Sequence, residues 1–297
     1  MRESGIAGIH TSVIVPAFNE AARLPRSLPI LVNALRELDG RSEIVLVDDG
    51  STDDTFDVAA QHLEGFADVR LLRLPWNCGK GAAVRRGVSA ASGKAIVFVD
   101  ADLAGDIADL PALLAPLDHV DIALGSRAVA GAVVHGRTTA RQVGSSAYRR
   151  LTRAMTSGTV ADTQCGFKAF RGPVAKLLFS MTTSTGFGFD VEILTLASAL
   201  GFRIEECPIH WTAVEGGHVS LRRHGLEMLH DLRRARRHRQ RAQAETWSLA
   251  CHPNPWTPRT VGQPVSLAPM VIRLDPGPAI IPAATPAPRM NASLVMD

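Results

Sequence analysis

Cysteine is scarce in this chain, and its four copies lie far apart without a Cys-x-x-Cys pair. This spacing argues against a zinc site and against a disulfide framework. Long apolar runs are also missing, since no stretch reaches the roughly 18 residues that suggest a membrane-spanning helix. The first residues, MRESGIAGIHTS, lack the basic and apolar segments of a secretory signal peptide. We therefore expect a cytoplasmic protein that meets a membrane, if at all, from its surface.

A strong charge imbalance is absent too. The formal net charge is +3 over 297 residues, which gives no general case for nucleic-acid binding. With 46% hydrophobic and 21% charged residues, the composition is ordinary for a globular protein. The basic residues are unevenly spread, however: Arg222–Arg241 contains eight arginines and two acids. This stretch predicts a basic helix late in the chain.

Strand-like and helix-like segments alternate through the first half of the chain. Short apolar or β-branched runs predict strands at Thr11–Pro16, Ser42–Val47, Val69–Leu74, Ala95–Val99 and Val120–Gly125. Helical apolar spacing predicts helices at Arg23–Leu38, Asp53–Leu63, Gly81–Ser92 and Asp109–Ala115. This alternation is typical of a Rossmann-like α/β fold, with a mostly parallel sheet and helices on both faces.

The pattern becomes less regular after Ser126. There we expect a basic loop over Arg127–Arg141, a helix over Ser146–Thr156, a helix over Asp190–Leu200 with Asp190 as its N-cap, and a strand over Arg203–Trp211.

The composition changes again near the end, because ten of the 18 prolines lie from Pro253 onward. Such a segment cannot form a regular core element, and we expect it to be disordered. These changes predict an α/β domain at residues 1–220, a basic amphipathic helix at 221–245 and a Pro-rich tail at 246–297.

Two acidic turns directly follow predicted strands. Asp48-Asp49-Gly50-Ser51 comes after SEIVLV, and Asp100-Ala101-Asp102 comes after AIVFV. The carboxyl ends of parallel strands border the crevice in which open α/β sheets bind ligands. Each turn alone fits a capped turn or a chance match, but their shared position indicates a ligand site. Asp100 and Asp102 can both reach one cation, or one can hold a ribose hydroxyl, and such oxygen ligands suit Mg²⁺ or Mn²⁺ bound with substrate phosphates.

A third motif, Asn77-Cys78-Gly79-Lys80-Gly81, opens a predicted helix. Free helix N–H groups and a lysine together form a cradle for an anion. A flexible glycine turn with a solvated lysine is the alternative.

Taken in order, VIVPAFNE (Val13–Glu20), VDDGSTDDT, NCGKG and VDAD resemble the family 2 glycosyltransferases of the GT-A fold, over roughly residues 12 to 223. The resemblance implies a nucleotide-sugar donor and a divalent metal. It places one set of residues around the donor: Pro16, Asn19 and Glu20 near the nucleobase and ribose, Asp48 at the base, Lys80 near the nucleotide, and Asp100 and Asp102 at the metal and diphosphate. Asp49 and Ala101 belong to the same nucleotide-sugar site.

Further motifs resemble the dolichyl-phosphate glucose synthases within that family: LGSR ending at Arg127, DTQCGFK (Asp162–Lys168), FDVE (Phe189–Glu192) and PIHWTAVE (Pro208–Glu215). This resemblance implies transfer of glucose from UDP-glucose to a polyprenyl phosphate, with inversion. Mannose-transferring relatives usually carry an arginine where Val214–Glu215 falls, which favours glucose. Mannose from GDP-mannose, a soluble acceptor, and a non-catalytic nucleotide-sugar-binding protein are the alternatives.

The same resemblance places the acceptor phosphate against the basic loop that holds Arg127, His135, Arg137 and Arg141. A solvated loop face is the alternative, for Arg137 in particular. Arginine forks match phosphate geometry and stay charged at any cellular pH. Because a phosphate monoester is already largely ionised near neutral pH, it needs little help from a general base. Asp162 is then a candidate positioning group, as is Asp190 if it is not simply a helix N-cap.

Three interpretations remain open for the basic helix. It can contact an anionic membrane surface, bind nucleic acid, or be only a solvated surface helix. Because an isoprenoid acceptor would be held in a membrane, we favour contact with the membrane surface at its inner, cytoplasmic face.

Overall fold

The structure, a computed structural model, describes residues 8–136, 160–186, 188–214 and 237. The strands within these ranges are β1 (Thr11–Ala17), β2 (Ser42–Asp48), β3 (Val69–Arg73), β4 (Ala95–Phe98), β5 (Ile122–Ser126), β6 (Val133–His135), β7 (Lys168–Arg171), β8 (Ile204–Pro208) and β9 (His210–Thr212). The α-helices are α1 (Leu24–Arg36), α2 (Thr55–Leu63), α3 (Lys80–Ala90), α4 (Leu110–Leu114), α5 (Gly172–Met181) and α6 (Phe189–Ala199).

Seven of these strands form one sheet in the order β3-β2-β1-β4-β7-β5-β8. All neighbours run parallel except β7, which is antiparallel to both β4 and β5. The amino end of β7 therefore lies at the same edge as the carboxyl ends of β1, β2, β4 and β5. This reversal brings the segment before β7, residues 162–167, to the edge where the acidic turns emerge. A separate parallel pair joins β6 to β9.

Helices cover both faces of the sheet, as its apolar composition requires. One hydrophobic core packs α1, α2 and α4 against one face, and a second packs α3, α5 and α6 against the other. The second core contains a cluster of aromatic rings with centroids 5.7 to 6.4 Å apart: Phe98, Phe170, Phe179 and Phe189. The predicted Rossmann-like α/β class is confirmed.

The five predicted strands and four predicted helices of the first half are all present, with ends that differ by no more than two residues. The second half required corrections. The predicted strand over Arg203–Trp211 is divided at the buried Ile209 into β8 and β9, which belong to different sheets. The predicted loop after Arg127 contains β6, and helix α5 was not predicted.

The predicted N-cap role of Asp190 is wrong. Gly188 occupies the cap position of α6, and Asp190 lies inside the first turn with its carboxylate directed to Lys168. A buried lysine needs an anionic partner, and the carboxylate of Asp190 therefore turns to Lys168 instead of capping the helix.

Three predicted segments lie outside the described residues: the helix over Ser146–Thr156, the basic helix at 221–245 apart from Arg237, and the tail at 246–297. The domain boundaries therefore stay predictions. No helix in the described ranges is both long and apolar enough to cross a lipid bilayer.

Glu43 in β2 is a buried carboxylate that ties neighbouring elements together at the end of the sheet opposite the acidic turns. Its Oε1 accepts hydrogen bonds from Ser12 Oγ of β1 at 2.5 Å and from the backbone N–H of Ser92 at 2.6 Å. Arg70 Nε of β3 lies 3.1 Å from its Oε2. Burial alone would raise the pKa of Glu43, but these hydrogen bonds and the charge of Arg70 lower it below its ordinary value of 4.5.

We expect Glu43→Gln to lower the free energy of unfolding at pH 7 by about 1.5–3 kcal/mol, since charge-assisted hydrogen bonds are lost. A folded-state pKa below the unfolded value gives stability that is fully present above pH 4.5 and lost as the pH falls through the folded pKa. The difference between wild type and variant should therefore shrink below pH 4.5. Urea unfolding at stepwise lower pH measures it, with the exposed Glu37→Gln as control. A difference that stays constant down to pH 3 would contradict this account.

Candidate functional site

The carboxyl edge of the sheet gathers the acidic side chains that the sequence predicts. Asp48 ends β2, Asp100 and Asp102 follow β4, and Asp162 lies in the segment before β7. Because β1 and β5 end at this edge as well, Asn19 and Arg127 are delivered to it from the two sides. The site is thus a product of strand direction rather than of nearness in sequence.

Asp48 is fully buried and only partly satisfied. Its Oδ1 accepts a hydrogen bond from the backbone N–H of Ser51 at 2.9 Å. Arg73 Nε lies 3.0 Å from Oδ2 but is not aligned as a donor, and Oδ2 has no hydrogen bond within the described residues. A buried acceptor without a donor is costly, so an N–H group from a ligand would be stabilising here.

Asp49 supports the turn that carries Lys80. Its two oxygens accept the backbone N–H groups of Cys78 and Gly79, both at 2.8 Å. Burial raises the pKa of Asp49, while these two hydrogen bonds oppose the rise. Since both oxygens are already engaged, Asp49 holds the amino end of α3 in place. Its predicted contact with the nucleotide stays a prediction.

Lys80, the first residue of α3, forms an ion pair with Asp100, with Nζ 2.5 Å from Oδ1. Burial alone would lower the pKa of Lys80, but the charges of Asp100 and Asp190 raise it, so the ammonium group stays charged. Burial and the nearby charge of Asp100 raise the pKa of Asp102, whose Oδ1 accepts from the backbone N–H of Ala104 at 3.1 Å. Two carboxylates that share one lysine leave the turn with spare negative charge.

Gly166 approaches this acidic turn closely. A Cβ atom at residue 166 would overlap the carboxylate of Asp100. Only a residue without a side chain lets the Cys165–Phe167 segment pack against Asp100 at this distance. A small open cleft begins here and is lined by Val99, Asp100, Leu103, Ala104, Gly105, Cys165, Gly166, Phe167 and Trp211.

The residues predicted around the nucleobase and ribose lie in and after β1. Pro16 is buried in the strand, in register with Val47. Asn19 has a positive φ of 54°, its N–H donates to Ser51 Oγ at 2.9 Å, and its Oδ1 accepts from the backbone N–H of Thr52 at 2.9 Å. Asn19 therefore joins the loop after β1 to the loop after β2, which is the turn that follows Asp48 and Asp49.

The neighbouring Glu20 continues this connection. Its backbone N–H donates to Thr55 Oγ1 at 2.8 Å, and its carboxylate pairs with Arg23 at 2.7 Å. Ala101, between Asp100 and Asp102, is buried and belongs to the hydrophobic core. Direct contacts of Pro16, Asn19, Glu20 and Ala101 with a nucleotide stay predictions.

Arg127 and Asp162 form a bidentate ion pair. Arg127 Nε lies 2.7 Å from Oδ2 and Nη2 lies 2.8 Å from Oδ1, while the backbone N–H of Arg127 also donates to Oδ2 at 3.0 Å. Burial alone would raise the pKa of Asp162, but Arg127 outweighs it and holds the pKa below its ordinary value. The guanidinium carbon lies 5.3 Å from the Trp211 ring centroid, so the cation is clamped between a carboxylate and an aromatic face.

Trp211 links this pair to the acidic turn. Its backbone bridges Gly105, and the next N–H, that of Thr212, donates to Ala104 O at 2.9 Å. The exposed His135 ends β6 in register with Thr212, so it belongs to the same small sheet. Arg137 and Arg141 lie outside the described residues, and their part in acceptor binding stays a prediction.

Sequence reasoning missed several supporting residues of this edge. Glu206 in β8 accepts the backbone N–H groups of Ala161 at 2.7 Å and Asp162 at 3.0 Å, and thereby orients Asp162. Glu192 in α6 accepts the backbone N–H of Ser184 at 2.8 Å. One signal of such buried pairs is present in the sequence. Lys168 lies inside the otherwise apolar run FKAF, and a charge within a buried strand requires a partner of opposite charge.

The comparisons with known proteins agree with this geometry. The model of "Glycosyl transferase family 2" matches residues 12–179. The chain belongs to this family. The glycosyltransferase is 33% identical over 245 residues to a dolichyl-phosphate beta-glucosyltransferase of Dictyostelium discoideum, with 78% of this chain and 75% of that protein covered. It is 35% identical over 239 residues to the enzyme of that name from Drosophila melanogaster, with 75% and 73% covered.

Solved structures confirm the GT-A fold of the glycosyltransferase. Glucosyl-3-phosphoglycerate synthase of Mycobacterium tuberculosis in complex with UDP superposes with a TM-score of 0.57 at 23% identity, covering 76% of this chain and 80% of that one. The same enzyme with Mn²⁺, UDP and glucosyl-3-phosphoglycerate gives 0.55 at 21% identity, with the same coverage. At this identity the likeness establishes the fold only.

We expect Gly166→Ala to reduce glycosyl transfer about a hundredfold, because the added methyl group must displace Asp100 by a distance on the scale at which catalytic geometry fails. The overlapping carboxylate belongs to the half-exposed Asp100, which can move without unfolding the core, so the melting temperature should change little. Gly105→Ala is the matched control from the same cleft, since its Cβ would lie 3.3 Å from the nearest atom, Phe167 Cδ1. Equal losses in both variants would contradict the special role of Gly166.

Proposed function

We propose that the chain transfers glucose from UDP-glucose to a polyprenyl phosphate, with inversion at the anomeric carbon. The carrying observation is that the Asp100–Asp102 turn and the Arg127–Asp162 pair lie at one edge of the sheet, where Asp100 and Trp211, the ring under Arg127, line the same cleft. One side suits a metal-diphosphate and the other suits a phosphate monoester. Similarity to dolichyl-phosphate beta-glucosyltransferases, over about three quarters of both chains, favours glucose as the sugar and a polyprenyl phosphate as the acceptor.

The donor end is supported by Asp48 and Lys80. The unsatisfied Oδ2 of Asp48 offers an acceptor for the N–H group of a uracil ring. Lys80, the first residue of α3, adds its own positive charge to that of the helix dipole where a diphosphate would lie. Asp49, Asn19 and Glu20 act on the donor by fixing the loops that form its walls.

The residues present fit a divalent cation, Mg²⁺ or Mn²⁺, held by Asp100 and Asp102. Asp100 and Asp102 place two negative charges in one turn, and Lys80 pairs directly with one of them, so a bound cation would reduce the remaining repulsion. In the described ranges no group of three or more His, Cys, Asp or Glu side chains is placed to hold a metal. Diphosphate oxygens and water would therefore complete the shell, as is usual for Mg²⁺. A bound ion would stabilise the negative charge of the departing diphosphate.

Arg127 supports the acceptor end. Asp162 uses two of the five guanidinium N–H groups, and within the described residues the others are available to an anionic oxygen of the acceptor. Asp162 also keeps the guanidinium from rotating, so its role is to orient Arg127. We place His135, Arg137 and Arg141 around the same phosphate. The basic helix at 221–245 would hold the enzyme on an anionic membrane, at the inner, cytoplasmic face where such an acceptor is reached.

Transfer of radiolabelled sugar tests this function. UDP-glucose and GDP-mannose are each offered with polyprenyl phosphate in anionic vesicles, with the same acceptor in neutral vesicles, and with a soluble phosphorylated hydroxy acid. We expect transfer from UDP-glucose to the lipid, with faster turnover on anionic vesicles. Transfer only to the soluble acceptor would overturn the acceptor assignment, and binding of UDP-glucose without any transfer would indicate a non-catalytic protein.

Asp102→Asn should abolish metal-dependent transfer while the fold is retained, because an isosteric amide at a strand-end turn removes charge but little packing. EDTA should have the same effect on the wild type, with recovery on addition of Mn²⁺. Asp109→Asn, at a carboxylate that pairs with the exposed His210, is the control. Transfer that survives both EDTA and Asp102→Asn would exclude the proposed metal site.

Arg127→Lys should raise the acceptor KM roughly tenfold or more, the equivalent of one lost charge-assisted hydrogen bond of about 1.5 kcal/mol. Lysine keeps a charge beside Asp162, whereas alanine would leave a buried carboxylate unpaired and confuse binding with stability. UDP binding by calorimetry should stay near normal. Arg171→Lys, at an arginine that binds the carbonyls of Leu117 and Asp118, is the control. Weakened UDP binding with an unchanged acceptor KM would assign Arg127 to the donor.

A further inference from the structure

Lys168 is a fully buried cation at the amino end of β7, directly beneath the acidic turn. Its Nζ donates to Asp190 Oδ1 at 2.6 Å and to Cys165 O at 2.5 Å. The ammonium group also lies 5.1 Å from the Phe98 ring centroid, and Phe98 is its neighbour in register on β4. These contacts place the cation between the strand that leads to Asp100 and the helix that carries Asp190.

We infer that the Lys168–Asp190 pair is a positioning device that sets the place of the Asp100 carboxylate, and hence the affinity of the site for a metal-bound nucleotide. This inference rests on the proposed function, since it concerns the same donor site. Neither Lys168 nor Asp190 needs to contact the donor. Two separate routes lead from the pair to Asp100.

The first route runs through the backbone of residues 165–167. The hydrogen bond from Lys168 to Cys165 O fixes the carbonyl directly before Gly166. Gly166 in turn packs so closely on Asp100 that no side chain fits between them. A shift of the Cys165 carbonyl would therefore move the surface against which the Asp100 carboxylate rests.

The second route runs through charge. Asp190 is near enough to Lys80 for their charges to attract, and Lys80 holds Asp100 Oδ1 at 2.5 Å. The carboxylates of Asp190 and Asp100 thus both attract the Lys80 ammonium group. Removal of Asp190 would leave Lys80 with only the carboxylates of the acidic turn, Asp100 and Asp102, as its anionic neighbours within the described residues, which changes the charge balance around Asp100.

A merely structural ion pair and a positioning pair should respond differently when both of their residues are replaced. Replacing both members of a buried pair by apolar residues of similar volume is often neutral or stabilising, whereas removing one member leaves an uncompensated charge. The double variant Lys168→Met/Asp190→Leu therefore separates stability from positioning. It eliminates both buried charges. It also removes the hydrogen bond from Lys168 to Cys165 O and the attraction between Asp190 and Lys80.

The test measures the melting temperature, Mn²⁺-dependent UDP binding by calorimetry, and the kcat and acceptor KM of transfer. We expect the double variant to melt near the wild type but to need at least tenfold more Mn²⁺ for half-maximal UDP binding, a loss typical of residues that orient metal ligands. The kcat should fall, while the acceptor KM stays within about twofold. Lys176→Met, at an exposed lysine of α5, controls for loss of a lysine alone.

Normal Mn²⁺-dependent UDP binding in a folded double variant would overturn the inference while leaving the proposed function intact. Absence of Mn²⁺-dependent UDP binding in the wild type would instead overturn the proposed donor site, and this inference with it. If the double variant does not fold, Asp190→Asn decides the matter, because the amide oxygen can still accept from Lys168 while the charge is lost. Its half-saturating Mn²⁺ concentration should rise several-fold, and an unchanged value would refute the charge route.

Discussion

Concentrated negative charge is the constraint on which this molecule depends. Six carboxylates meet at one edge of the sheet, four of them buried and Asp100 and Asp102 partly exposed, and each needs compensation. The partners differ: guanidinium groups for Asp48 and Asp162, backbone N–H groups for Asp49, and lysines for Asp100 and Asp190. Asp102 receives a single backbone N–H within the described residues, which makes it the acid with the greatest demand for a cation.

Much of this edge can be predicted because it follows from strand direction. An apolar strand that ends in acids places those acids at the carboxyl edge, wherever the strand lies in the sheet. Asp48, Asp100 and Asp102 were therefore accessible from the pattern alone, and so were the strands that present them. The family resemblance added the roles of Lys80 and Arg127, which the structure brings to the same edge.

The parts of the fold and of the site that the pattern did not predict depend on contacts between segments far apart in sequence. No local pattern shows that β7 enters the sheet in the opposite direction, since its four residues are too short to carry a periodicity. The carboxylate of Asp190 looks like an N-cap until the buried Lys168 is seen beside it. Asn19 and Asp49 likewise have the chemistry of ligand contacts, yet their polar atoms bind neighbouring loops. Side chains that build a site and side chains that touch a ligand are drawn from the same residue types.

The four lysines of the chain differ sharply in their surroundings, and this difference gives the protein an unusual profile towards amine-reactive reagents. Lys94 and Lys176 are exposed, Lys80 is partly covered beside Asp100, and Lys168 is inaccessible. A small acylating reagent would therefore modify the two exposed amines first, and Lys80 more slowly. Modification of Lys168 would require the opening of the sheet around it, so this one amine serves as an internal indicator of global unfolding.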